Sequence, residues 1–278
     1  MMRRWPNWSS TCARTVPCAM WPKTRGMPTR GLSVRWGCEV HEDRVCLRPD
    51  DYCDRGGVFS EARWGRTGII WPMNSLLLRY PINRSYKVNQ HCIPAIREIL
   101  GKYNVSGTLL ECGSGAIKTL WHMFAGYLML DALIGNTDRH HENWGLITRS
   151  IPPESPTVLA PSFDHASSLG REISDADRGD MLSGAGNRNI PLYTGRCRSK
   201  MYLNADALKP LAPLEAFREA TADTPAVRAL WLGRLAAVGP GEFTAIISRV
   251  PARRMSTAAG RFALELLVYN RARLLELD

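Results

Sequence analysis

Residues 131–164 read DALIGNTDRHHENWGLITRSIPPESPTVLAPSFD, and the fold is decided here. An apolar run, residues 121–134, leads into the stretch. Gly135 closes that run with the residue type that most readily takes the left-handed conformation ending a helix. A polar knot follows, Asn136-Thr137-Asp138-Arg139-His140-His141-Glu142-Asn143. Two short apolar runs, 144–148 and 157–163, flank the turn-forming Pro152-Pro153-Glu154-Ser155-Pro156, and Asp164 comes directly after the second. The order predicts a buried helix, a polar loop, a two-stranded ribbon and then an aspartate.

Phosphoryl transfer from ATP calls for these groups in this order. One carboxylate orients an attacking hydroxyl and takes its proton. An amide oxygen and a second carboxylate hold Mg²⁺ against the phosphates, because that ion prefers hard oxygen ligands. An Asp, an Asn five residues on, a strand pair and then an Asp is the spacing of the kinase catalytic loop and metal-binding segment. An Asp and an Asn at that spacing are alone also ordinary turn and capping residues. The complete order carries the signal. His141 and Glu142 read as a solvated loop face.

The strings 134–143 (IGNTDRHHEN) and 161–170 (PSFDHASSLG) resemble the HipA-like C-terminal kinase domain of bacterial toxin–antitoxin systems. The Asp-Arg-His-x-x-Asn core also looks like the catalytic loop of the phosphoinositide kinases. The resemblance spans roughly 85–278 and is sharp from about 120 to 170. It implies an α+β, protein-kinase-like fold with a mainly helical C-terminal lobe and a reduced, irregular N-terminal lobe. It implies ATP and Mg²⁺ as cofactors, Asp138 as catalytic base, His140 beside the transferred phosphate, and Asn143 and Asp164 as metal ligands. The implied reaction is phosphorylation of a protein Ser or Thr, with an antitoxin as possible partner. A small-molecule or lipid acceptor and a catalytically impaired pseudokinase or truncated fragment acting as a binding module are the alternatives.

Such kinases carry a phosphate-covering glycine loop and a strand lysine ahead of the catalytic loop. The sequence has no Gly-x-Gly-x-x-Gly, and Gly65-Arg-Thr-Gly68 is too short to serve. Lysines before residue 138 are Lys23, Lys87, Lys102 and Lys118. Lys87, in Ser85-Tyr-Lys-Val88, is the cofactor-binding candidate.

The formal net charge is +10 over 278 residues, but it is concentrated. Residues 1–36 hold seven Lys and Arg and no acid, leaving +3 for the rest. A nucleic-acid partner is therefore expected only through residues 1–36, if at all. Eight cysteines lie scattered with no Cys-x-x-Cys pair, which argues against zinc and for reduced thiols in a cytoplasm. No signal peptide is visible in residues 1–22, and the run 121–134 is too short to span a membrane.

Along the chain, residues 1–30 read as a disordered or basic arm, 31–110 as a reduced N-terminal lobe, and 111–278 as a helical catalytic lobe. β-like pieces are expected at 32–36, 45–47, 68–71 and 76–80. Helices are expected over 91–103, 116–134 (capped by Ser114), 205–222, from Pro225, from Pro240, and over 257–277. Residues 171–180 read as exposed charge and 184–187 as flexible. Substrate contacts are expected within 167–200. The basic segment 195–200 reads as solvated charge, and Asp131 as either a surface residue or a buried partner of the loop.

Overall fold

The computed structural model describes residues 62–64, 68–72, 89–105, 115–148 and 157–277. The expected pieces at 32–36, 45–47 and 76–80, the arm 1–30, Ser114 and Lys87 lie outside them.

Among the described residues one antiparallel sheet runs in the order β1 (Ala62–Trp64), β2 (Gly68–Pro72), β3 (Gly145–Thr148), β4 (Thr157–Leu159). The expected strand at 68–71 is β2, and the expected ribbon is β3 and β4. β2 pairs with β3 in the register Ile69 to Thr148 and Pro72 to Gly145. Pro72 stands at the end of its strand, where the missing N–H interrupts little. β3 pairs with β4, Leu146 opposite Leu159. The second arm of the ribbon is shorter than the apolar run 157–163 suggests. Beyond Ala160 its polar groups turn to side chains instead of a ladder. Tyr127 Oη donates to Ala160 O at 2.7 Å, and Arg139 donates to Ser162 Oγ and Phe163 O.

The rest is helical. α1 (Ile93–Gly101) has Pro94 in its first turn, where the absent N–H costs nothing. α2 (Leu120–Ile134) starts four residues later than expected. Its cap is Thr119, whose hydroxyl accepts from the His122 N–H. Every residue of α2 except His122 is buried. A helix apolar on all faces belongs inside a domain. α2 packs on α1, α5 (Pro213–Ala220), α6 (Pro225–Ala236), α8 (Thr257–Leu275) and β4. Full burial of each large side chain on it contributes about 1.5–3 kcal/mol.

Residues 171–180 are mostly exposed, as expected, with Arg178 the buried exception, but their helix was not anticipated. They build most of α3 (Asp175–Ser183). Ser174 Oγ caps it by accepting from Asp177 N–H, and Asp175 and Asp177 sit at the positive end of the helix dipole. Arg178 is buried and donates to Gly170 O at 2.8 Å, tying α3 to the segment after Asp164. Ala185–Asn187 form a 3₁₀ turn after the left-handed Gly184. A further helix, α4 (Ile190–Arg196), has no counterpart in the expectations. The helix expected over 205–222 is confined to α5. Pro210 and Pro213 interrupt it, and Leu211 is held in extended pairing with Ser199 and Met201. Leu208, read as part of an apolar stripe, is 96% exposed. α7 (Pro240–Ile247) and α8 match their expected positions, α8 ending two residues early.

Candidate active site

The loop begins where Gly135 (φ +63°) ends α2. Asp131, in the last turn of α2, resolves as a buried partner rather than a surface residue. Its carboxylate accepts from Arg139 Nε at 2.8 Å and Nη2 at 2.7 Å, a bidentate pair with neither side chain more than 2% exposed. Asn136 Nδ2 adds a third bond to Asp131 at 2.8 Å. Asn136 Oδ1 in turn accepts from Asp138 N–H at 3.0 Å, fixing the backbone at the proposed base.

Arg139 is the keystone of the loop, and sequence reasoning assigned it nothing. Besides Asp131 it donates to Asn143 O at 2.7 Å, Phe163 O at 3.2 Å and Ser162 Oγ at 2.9 Å. Its Nη2 also lies 3.2 Å from His165 Nδ1. One guanidinium thus holds the end of α2, the residue at 143 and the chain just before Asp164. The planar fork of arginine suits this work; a lysine could not reach so many acceptors. Desolvation acts to lower its pKa, but Asp131 outweighs it and the net shift is upward, so Arg139 stays charged.

Above this platform stand the expected residues. Asp138 is half-buried, its side chain 36% exposed. Desolvation pushes its carboxyl above the ordinary aspartate value, with Asp164 adding to the rise; the Lys200 and Arg139 cations oppose it. Asn143 donates through Nδ2 to Asp138 O at 2.7 Å, which points its Oδ1 away as an acceptor. Asp164 is exposed and takes φ +50°, an unusual conformation for a non-glycine residue. His140 Nδ1 accepts from Glu142 N–H at 3.2 Å, so its proton sits on Nε2, 3.9 Å from Asp138 Oδ2. Burial first, and the nearby His141 and Lys200 charges next, depress His140 to about 3. The imidazole is neutral at pH 7, and its contact with Asp138 is not an ion pair. His141 is buried, contrary to the solvated face expected, and packs edge-on against His140 and His91 with centroids 5.8 and 6.3 Å away. Glu142 is partly exposed.

His91 was also missed. It is fully buried, with Nδ1 donating to Lys200 O at 2.8 Å and Nε2 accepting from Trp144 Nε1–H at 3.0 Å. Those two bonds define one neutral tautomer. A second proton would face the indole N–H, and desolvation pushes the ring down to about 3. His91 therefore ties the chain before α1 to the loop at Trp144 and to the segment at Lys200. No sequence signal marked it, because its partners are distant in the chain. Lys87, the nucleotide-lysine candidate, lies outside the described residues.

The donor set suits a hard divalent cation. Asn143 Oδ1 and the Asp164 carboxylate are the hard oxygen donors such an ion prefers, and water and phosphate ordinarily complete such a shell. No cluster of three or more His, Cys, Asp or Glu placed to hold a metal ion occurs among the described residues. No helix among them is long and apolar enough to cross a membrane.

No protein-family model and no curated protein matches the chain. A solved structure does. The chain is similar to the crystal structure of a Helicobacter pylori proinflammatory kinase, CtkA, with a TM-score of 0.53 and 18% identity. The match covers 77% of this chain and 70% of that one. The fold is kinase-like. The expected α+β class agrees with the helix-dominated architecture and its small antiparallel sheet.

Proposed function

We propose that this chain is a phosphotransferase that uses ATP and Mg²⁺ to phosphorylate a hydroxyl, most specifically a protein Ser or Thr. The observation that carries the reading is the shared platform. Arg139 holds the backbone of Asn143 and of the residue before Asp164, while Asn143 holds Asp138. Groups from the loop and from the end of its ribbon, with the chemistry of a base and two magnesium ligands, are thereby tied to one platform. The kinase-like neighbour and the HipA-like wording of the loop support the same reading.

Asp138 receives the acceptor hydroxyl's proton. Its raised pKa makes the carboxylate a stronger base than a solvated aspartate. Asn143 Oδ1 and Asp164 would hold the magnesium. Mg-ATP, when bound, supplies the transferable phosphoryl group and neutralises the charge that develops on it. Neutral His140 orients the loop beside Asp138 without competing for the proton. Lys87 is the proposed lysine on the phosphates. A protein acceptor and an antitoxin partner belong to the same proposal through the HipA-like resemblance.

Asp138→Asn should lower turnover about 10²–10⁴-fold while leaving Mg-ATP affinity nearly unchanged. Steady-state kinetics beside binding calorimetry make the comparison. Retained turnover, or an equal loss of affinity, would overturn the role given to Asp138.

A further inference from the structure

Asn143 is held on three sides within its own loop. Arg139 donates to its carbonyl at 2.7 Å, its N–H donates to His140 O at 3.0 Å, and its Nδ2 donates to Asp138 O at 2.7 Å. Where the chain leaves the loop, the next anchor is Trp144, which is fully buried. Its ring lies against Phe124 of α2, centroids 4.5 Å apart, and its indole N–H donates to His91 Nε2 at 3.0 Å. His91 has anchors of its own outside the loop. Nδ1 donates to Lys200 O at 2.8 Å, the His91 carbonyl accepts from Tyr202 N–H at 3.1 Å, and Ile93 N–H donates to Tyr202 O at 3.0 Å. The imidazole is thus fixed at both nitrogens and at its backbone. Two apolar side chains could fill the same space. A satisfied polar pair in a core adds direction, and a buried indole N–H deprived of its acceptor is costly enough to turn toward another. Turning Trp144 would carry the adjoining Asn143 with it.

We propose that His91 is a positioning residue of the phosphotransferase site: by holding the Trp144 indole it fixes the exit of the loop, and with it the direction of Asn143 Oδ1, the atom offered to magnesium. The inference rests on the phosphotransferase reading. His91 acts through Trp144 and exchanges no atom with the substrates. Its task is the one that groups behind a metal ligand perform, and their loss ordinarily costs about 10–100-fold in metal affinity or activity. A ligand displaced by a fraction of its bond length meets the ion poorly, whereas the rest of the nucleotide site is untouched.

The test uses the full chain as wild type, His91→Phe, His91→Gln, Trp144→Phe and the double variant His91→Phe with Trp144→Phe. ATP binding is read by calorimetry with and without Mg²⁺, and exchange of the Trp144 indole proton by NMR of the nucleotide-free protein. His91→Phe and Trp144→Phe should each weaken Mg²⁺-dependent ATP binding about 10–100-fold and leave magnesium-free ATP binding little changed. The double variant should bind no more weakly than the weaker single one, because both changes remove one bond. His91→Gln keeps an acceptor at the end of its side chain and should recover part of the loss. The indole proton should exchange faster in His91→Phe than in wild type. Mg-ATP affinity within about threefold of wild type in the folded single variants would overturn the assignment. So would an equal loss with and without Mg²⁺, which marks a residue that merely stabilises the fold, or additive losses in the double variant. If His91→Phe does not fold, Trp144→Phe decides by the same criteria. If wild type itself does not bind Mg-ATP, the phosphotransferase reading falls and the role of His91 with it. A wild type that binds, matched by both single variants, removes His91 alone.

Discussion

Asp131 and Arg139 form the contact on which the rest of the loop stands. Taking both charges out of water is expensive, and the pair is tolerated because every charged atom finds a partner. Removing one partner leaves the other buried and uncompensated. Asp131→Asn should therefore destabilise the protein by roughly 3–5 kcal/mol, read by urea denaturation followed by circular dichroism. A loss under about 1 kcal/mol would show the pair to be peripheral. At this scale the sequence was legible where chemistry is local. Asp138, Asn143 and Asp164 stand out because one spacing puts them in one loop and its ribbon. Arg139 and His91 were illegible for a shared reason. Arg139 works through acceptors up to 24 residues away, and the His91 bond to the Lys200 carbonyl spans 109 residues.

The helices were legible when an apolar period and a terminating signal agreed. Pro225, Pro240 and the long run ending near Leu275 mark α6, α7 and α8 within two residues. α3 was missed because it is specified by a serine cap and acidic first turn, not by an apolar stripe. α4 was missed because seven residues show too little period. The stripe at 205–222 misled because its leucines satisfy a helical spacing that the two prolines forbid. Within α2, Gly126 is the position where the neighbour fits tightest. A Cβ there would lie 2.5 Å from the ring of Trp231, which also donates to His122 O at 2.9 Å. Alanine would gain about 0.8–1 kcal/mol of helix propensity over glycine, but overpacking of a filled core costs typically 1–3 kcal/mol. Gly126→Ala should be net destabilising, and less so when combined with Trp231→Leu in a double-mutant cycle. Strict additivity of the two changes would contradict close packing of α2 on α6.

At the scale of the whole molecule, the sheet joins the two ends of the argument. β2, from the region that lacks a recognisable phosphate loop, pairs directly with β3, which follows the candidate loop at Trp144. His91 adds a second tie from the chain before α1 to the same tryptophan. These connections make the chain before the catalytic loop continuous with the site, although its sequence shows no glycine-rich loop. The kinase-like neighbour spans 77% of this chain, so the likeness is not confined to the loop that first suggested it. What the fold cannot supply by analogy is the nucleotide. The deciding measurement is Mg²⁺-dependent ATP binding by calorimetry, wild type beside Asp164→Ala. The account predicts micromolar binding that requires magnesium and is lost in Asp164→Ala. Absence of binding in wild type, or equal affinity in both proteins, would contradict it.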